Sequence, residues 1–215
     1  MARSPRLTDL DLSALIASKI CHDVIGPVGA IGNGLEILEE EAGRDSSAYA
    51  LEVIRDVTQQ ATARLQYARF AFGAAGSAGS QIDLETARSI SEGLVGGSRQ
   101  NAKHRLKWSG PQGHLPKNTA KLLLNLVSSA ITALPRGGEI ELEIAPDLSR
   151  PEFTFRCKGR SARPPQYLSA FIAGTDEPDI DAMSIQAYYT VRLAADTGMT
   201  LAITQDGDDI VLSAT

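Results

Sequence analysis

TDLDLSALIASKICHDVIGPVGAIGNGLEILEEE, residues 8–41, is the stretch on which the fold turns. Its apolar residues Leu12, Ile16, Ile20, Val24, Ile31, Leu35 and Leu38 fall within one stripe at about 100° of rotation per residue. That periodicity predicts one long helix, with Thr8 or Asp9 as cap, Gly43 as stop and the stripe as its core face. On the same wheel His22 lies about 200° from Ile20 and faces water. Ser18 and Gly29 share its side, Gly26 and Asn33 lie a little aside, and Ile25 offers an apolar contact beside it. A single exposed imidazole is ordinarily a solvated surface residue. Here the company it keeps is unusual: glycine costs about 1 kcal/mol and proline about 3 in a helix interior, yet Gly26, Pro27 and Gly29 all sit just after His22. Small residues at that cost leave open ground for close approach by a partner. A neutral imidazole nitrogen is a good nucleophile toward phosphorus, and Asp23 is placed to orient the ring or hold its proton.

Working outward, Ile54, Val57, Ala61, Leu65, Ala68 and Phe72 recur at helical spacing and predict a second helix over about 46–72, so that the two form a helical hairpin. The run from Gly73 to Ser80 is built of small flexible residues and reads as a linker, which sets a domain boundary between residues 76 and 77. Beyond it, helices are expected over 85–95, 117–134 and 184–197. Strands are expected over 104–108, 139–144, 153–157, 200–204 and 210–213, with Asp206-Gly207-Asp208 as the last turn. The fold class is therefore α+β: an N-terminal helical hairpin over 1–76, then an α/β sandwich over 77–215 with helices on one face of a mixed sheet. A hairpin alone leaves apolar area wet, so pairing with a second copy is expected, although a core within one chain would also cover the stripe.

Composition narrows the function. Of 215 residues 43% are hydrophobic and 22% charged, and the net charge of −5 with no basic run argues against nucleic-acid binding. No stretch reaches about 18 uninterrupted apolar residues, and the first residues lack a secretory apolar core, so no membrane association and a cytoplasmic location are expected. Cys21 and Cys157 form no metal-binding spacing and read as buried thiols. His104 and His114 stand in no motif and are assigned to surface or loop, and Trp108 to the core.

Ser18-Lys-Ile-Cys-His22-Asp23-Val-Ile-Gly-Pro27 resembles the phosphorylated H-box of dimeric histidine kinases, where His is followed by an acid and, five residues on, by Pro. Together with the Gly-rich stretch from Gly29 and Arg69-Phe-Ala-Phe-Gly73, it is similar more narrowly to the ChpT-type bacterial histidine phosphotransferases, over nearly the whole chain. The resemblance implies a homodimer whose hairpins form a four-helix bundle, each carrying a histidine-kinase ATPase-like domain without nucleotide. It also implies phosphoryl transfer through His22, with Asp23 and Pro27 as motif neighbours, from the receiver domain of a hybrid histidine kinase to response regulators of the CtrA type. Lys19, Ile25, Gly26, Gly29 and Asn33 are the expected docking ground around His22. No cofactor is expected on this chain, since the receiver would bring the Mg²⁺.

Kinases of that architecture hold ATP through an Asn-x-x-x-Asn helix, an Asp-x-Gly-x-Gly loop and a second Gly-rich loop. Here the helix reads Asn125-Leu-Val-Ser-Ser129, the loop Lys158-Gly159-Arg160-Ser161-Ala162 carries no acid, and Thr175 to Ser184 holds acids and no glycine. Catalytic use of ATP is not expected. Lys158, Arg160 and Arg163 put three cations on one loop, which is either a second docking surface for an acidic receiver or an ordinary solvated loop. A different class of function is a kinase-like dimer that docks on a kinase or receiver and inhibits it without being phosphorylated. Only phosphotransfer needs His22.

Overall fold

The computed structural model describes residues 7–40, 44–73, 80–96, 102–174 and 179–215. Helix α1 (Asp9–Glu40) opens on Thr8, whose Oγ1 accepts the Asp11 amide at 3.1 Å and so satisfies one of the orphan donors of the first turn. Helix α2 (Arg44–Ala71) folds back along it. They pack tightly at Gly34, where a Cβ would sit 2.6 Å from the Ile54 side chain. Two helices meet along one line only, and the expected single core stripe needs correction on that ground. Leu12, Ile16, Ile20, Val24, Ile31 and Leu38 are half-buried, whereas Leu35 and, on α2, Leu65 are 49% and 50% exposed. Cys21, Ile25, Val28 and Leu35 recur at spacings of three, four and seven and line a second, open face of α1, so the expectation of a buried Cys21 is also corrected. By length and composition α1 could cross a membrane. Its apolar residues are instead divided between the side on α2 and the open side, with Lys19, His22 and Asp23 interrupting the middle.

The rest of the chain runs β1 (Gln81–Asp83), α3 (Leu84–Val95), β2 (His104–Ser109), β3 (His114–Pro116), α4 (Lys117–Ala133), β4 (Gly138–Ile144), β5 (Phe153–Lys158), α5 (Gln166–Ala173), α6 (Ile185–Thr197), β6 (Leu201–Asp206) and β7 (Asp209–Ala214). Five strands form a mixed sheet in the order β2-β4-β5-β7-β6, parallel only between β2 and β4, and β1 pairs with β3 in a small separate ribbon. Alternation decides the layers. Ile140, Leu142, Phe153, Phe155, Cys157, Ile210 and Leu212 point to the buried side, against α4 with its fully enclosed Leu122, Leu123, Leu124 and Leu126. Each such side chain contributes about 1.5–3 kcal/mol by leaving water. Glu139, Glu141, Arg156 and Lys158 alternate to the open side, where Lys107 and Lys158 pair with Glu141 across the strands.

The predicted helices and strands are all found, whereas β1, β3 and α5 are additional. Tyr67 and Ala71 at the end of α2 belong to the same core as the sandwich, and Leu7, Leu12, Leu15 and Ile16 pack on it, so the hairpin is built into the second layer. The expected boundary at residues 76 and 77 lies outside the described residues. His104 is not on the surface: β2 turns it inward, and its Nε2 lies 2.9 Å from the Leu134 carbonyl in the core. His114 is exposed on β3, and Trp108 packs partly buried against the core.

Candidate functional site

His22 stands midway along α1 with its side chain 67% exposed. Around it, Gly26 and Gly29 have open space where a Cβ would be, and Ile25 (70% exposed) and Asn33 stand in solvent. On its inner side a cleft of about 230 Å³ separates Lys19, His22 and Asp23 from Ser128 and Thr132 of α4, Tyr167 of α5 and Gln186 of α6. The histidine therefore has one side open to a macromolecule and one side against the sandwich.

The Asp23 carboxylate has two neighbours. Lys19, one turn earlier, donates from Nζ to Oδ1 at 2.6 Å, and the same Oδ1 lies 3.6 Å from His22 Nδ1. That second separation is too long for a hydrogen bond. Asp23 is within reach of the ring and is held by Lys19, so Lys19 sits beneath the site rather than projecting from it. From α2, Arg64 donates through Nη1 to the Asp23 backbone carbonyl. No sequence pattern pointed to Arg64. The only trace of it is Pro27, which has no N–H for that carbonyl.

Across the cleft, the residues that correspond in spacing to nucleotide ligands are turned inward. The Asn125 side chain is fully buried; its Nδ2 donates to the Lys121 carbonyl at 2.9 Å, and its Oδ1 lies 3.3 Å from Gln186 Nε2 and 3.5 Å from the Tyr67 hydroxyl. Ser129 donates to the Asn125 carbonyl at 3.0 Å, and Gln186 also donates to that carbonyl and to Thr190. Burial pushes the Tyr67 hydroxyl well above its usual range, with the neighbouring Asp23 charge adding to the rise. The network is satisfied within the chain and binds α2, α4 and α6 together.

At the end of β5, Cys157-Lys158-Gly159-Arg160-Ser161 has a thiol, a glycine and a serine at the Asp, Gly and Gly positions of Asp-x-Gly-x-Gly. Cys157 is fully buried, and burial pushes its thiol up to about 12. Ser161 keeps the left-handed backbone, φ 66°, that a glycine would take. Gly159 is required by packing, since a Cβ there would lie 2.5 Å from the Gly137 carbonyl. The three cations of this loop have different surroundings. Lys158 pairs with Glu141 at 2.6 Å on the open side of the sheet and holds that carboxyl below its usual range. Arg160 and Arg163 are exposed, and the Arg163 amide bonds the Ala133 carbonyl, two residues before Pro165 enters the His22 cleft. Residues 175–178 of the acidic segment lie outside the described residues.

A family model described as the histidine phosphotransferase C-terminal domain matches residues 84–209. Over 209 residues, 97% of each chain, the protein is 46% identical to the protein phosphotransferase ChpT of Brucella abortus (strain 2308). The chain belongs to the ChpT-type histidine phosphotransferases. A solved bacterial phosphotransferase, 41% identical, superposes on this phosphotransferase over 100% of both chains with a TM-score of 0.89. The histidine kinase domain of the Erythrobacter litoralis EL346 blue-light-activated kinase is 14% identical, covers 87% of this chain and 94% of its own, and has a TM-score of 0.47.

Proposed function

We propose that His22 carries the phosphoryl group, accepting it from an aspartyl phosphate on the receiver domain of a hybrid histidine kinase and passing it to response regulators of the CtrA type. The observation that carries this reading is the exposed imidazole on glycine-lined ground, with a carboxylate held beside it by Lys19. An imidazole nitrogen attacks phosphorus and the aspartyl oxygen leaves; the reverse step regenerates the ring on a second receiver. Asp23 accepts or holds the ring proton at Nδ1 once the side chains close the gap between them. The chain supplies the nucleophile and its orientation, and the Mg²⁺ that neutralises the moving group comes with the receiver.

ATP has no part in this reading. Asn125 is committed to Gln186 and backbone carbonyls, and a buried thiol stands where an adenine-gripping carboxylate would be. A second copy covers the open α1 and α2 face through Cys21, Val28, Leu35 and Leu65, giving a cytoplasmic homodimer with a four-helix bundle. The receiver docks on Ile25, Gly26, Gly29 and Asn33, with Arg160 and Arg163 at the rim. Lys158, paired with Glu141 on the far side of the sheet, stabilises the strands and does not meet the receiver.

The test is to mix the protein with a phosphorylated receiver and locate the phosphate by mass spectrometry. An acid-labile, base-stable phosphate on His22 is expected, and its absence in His22→Ala with receiver binding retained. Inhibition of the donor kinase with no phosphate on any histidine would replace this reading by a docking module.

A further inference from the structure

The mid-helix proline opens a gap in α1 that a side chain from α2 fills. In a regular helix the N–H of residue 27 bonds the carbonyl of residue 23. Proline has no N–H, so Pro27 removes that bond and leaves the Asp23 carbonyl without its helical donor, one residue past His22. The Arg64 guanidinium donates to that carbonyl through Nη1 from a position forty-one residues away in sequence. A charged donor on a carbonyl is shorter and stronger than the amide it replaces, and it reaches across from another helix. The turn bearing His22 and Asp23 is thus tied to α2, on which Tyr67, one turn after Arg64, continues into the buried network of α4.

We propose that Arg64 is the positioning residue of the His22 turn: it occupies the hydrogen bond that Pro27 vacates, and so fixes where Asp23 and the His22 ring stand. Pro27 and Arg64 then form one device. The proline frees the carbonyl and the arginine takes it, which anchors the turn from beneath while its outer side stays open to a partner. The charged and titratable groups around His22 are Lys19 and Asp23 on α1, Arg64 and Tyr67 on α2 and Tyr167 on α5. Arg64 itself is half-buried, under the docking ground rather than on it.

This inference rests on His22 as the phosphoryl acceptor, and the experiment separates the two. Full-length wild type, Arg64→Met, Arg64→Lys, Pro27→Ala and the Arg64→Met, Pro27→Ala double variant are compared in phosphotransfer from a phosphorylated receiver and in thermal unfolding. Arg64→Met is expected to lower the saturated transfer rate by about tenfold to a hundredfold, the order that misplacing a reacting group brings, with the half-saturating receiver concentration little changed. Arg64→Lys retains a donor and regains part of the rate. In the double variant the amide that alanine brings to position 27 restores the helical bond, so the rate recovers and the two substitutions are non-additive in unfolding. A wild-type rate in Arg64→Met, or a double variant as slow as Arg64→Met, overturns the inference. Wild type that takes no phosphate on His22 overturns the functional reading instead, and the unfolding cycle still reports whether Arg64 and Pro27 are coupled.

Discussion

Two walls face each other across the cleft, and they treat polar groups in opposite ways. On the α1 side, His22 is open, the Asp23 carboxylate stands 3.6 Å from its Nδ1, and Gly26 and Gly29 leave empty space beside it. On the α4 side, Asn125, Ser129, Gln186 and Thr190 are buried and bonded to one another and to carbonyls. One wall leaves its bonding capacity open, and the other has spent it inside the chain. A polar network satisfied internally rigidifies a fold, while an exposed nucleophile with little beside it can be reached by another protein's acyl phosphate. In the proposed relay the sandwich is therefore the rigid support for the helix that bears His22.

The sharpest break of that contrast is at His22. His22→Ala should abolish phosphate uptake, yet change stability by no more than about 0.5 kcal/mol, because an exposed side chain with no hydrogen bond to its neighbours is removed. Radiolabelled transfer and a thermal melt measure the two together. Loss of fold with loss of transfer would mean that the open wall is structural as well.

Next in size is the second open surface, the apolar face of the hairpin. Leu65→Glu would bury a carboxylate from each copy in the proposed bundle, costing about 3 kcal/mol or more and weakening association beyond about a hundredfold. Sedimentation at micromolar concentration should then find monomer. Cys21 should become faster to alkylate in that variant, whereas Cys157, its thiol pushed up to about 12 by burial, stays neutral at pH 8 and unreactive until the chain unfolds. Unchanged association in Leu65→Glu would place the contact between copies elsewhere.

What the sequence revealed and what it concealed divide along the same line. Period-two alternation placed β4 and β5, because each strand has one side in the core and the other on the open side, and the turn at Asp206-Gly207-Asp208 placed β7. Periodicity placed α1 but not its cover: Leu35 and Leu65 lie on regular apolar stripes, and a wheel does not say whether the same chain or another buries them. His104 was missed because one histidine carries no motif, although its alternation with Leu106 and Trp108 in β2 marks the inward side. Three-residue strands such as β1 and β3 are too short for any period, and α5 is short and preceded by two prolines. His22 and its glycines were visible as local rule-breaking. Arg64 was not, since its partner is a backbone carbonyl forty-one residues distant.

The closed wall is tested by a smaller change. Gln186→Leu removes the donor to the Asn125 carbonyl, to Asn125 Oδ1 and to Thr190, and should destabilise by about 1–3 kcal/mol, or about 2–4 °C in midpoint for each kcal/mol at this chain length. Calorimetric titration with ATP and Mg²⁺ should give no heat in either protein. Measurable nucleotide binding would mean that the wall is not committed inward, and the contrast would fail at its base.

The smallest expected effect lies where the closed wall reaches the rim of the cleft. Arg160 and Arg163 are exposed on the loop that leads through Pro165 to His22, whereas Lys158 of the same loop is paired with Glu141 on the other side of the sheet. Exposed rim charges act mainly on association and contribute only about 0.2–1 kcal/mol each. Arg160→Glu with Arg163→Glu should therefore slow transfer from a subsaturating receiver a few-fold at low salt, and the defect should shrink as ionic strength rises and shortens the reach of the charges. Lys158→Glu should behave differently. It would set a third acid beside Glu139 and Glu141, lowering stability slightly while leaving the transfer rate and its salt dependence as they are. If instead Lys158→Glu slows transfer and the double arginine variant does not, the receiver contacts the open side of the sheet, and the loop's three cations must be reassigned.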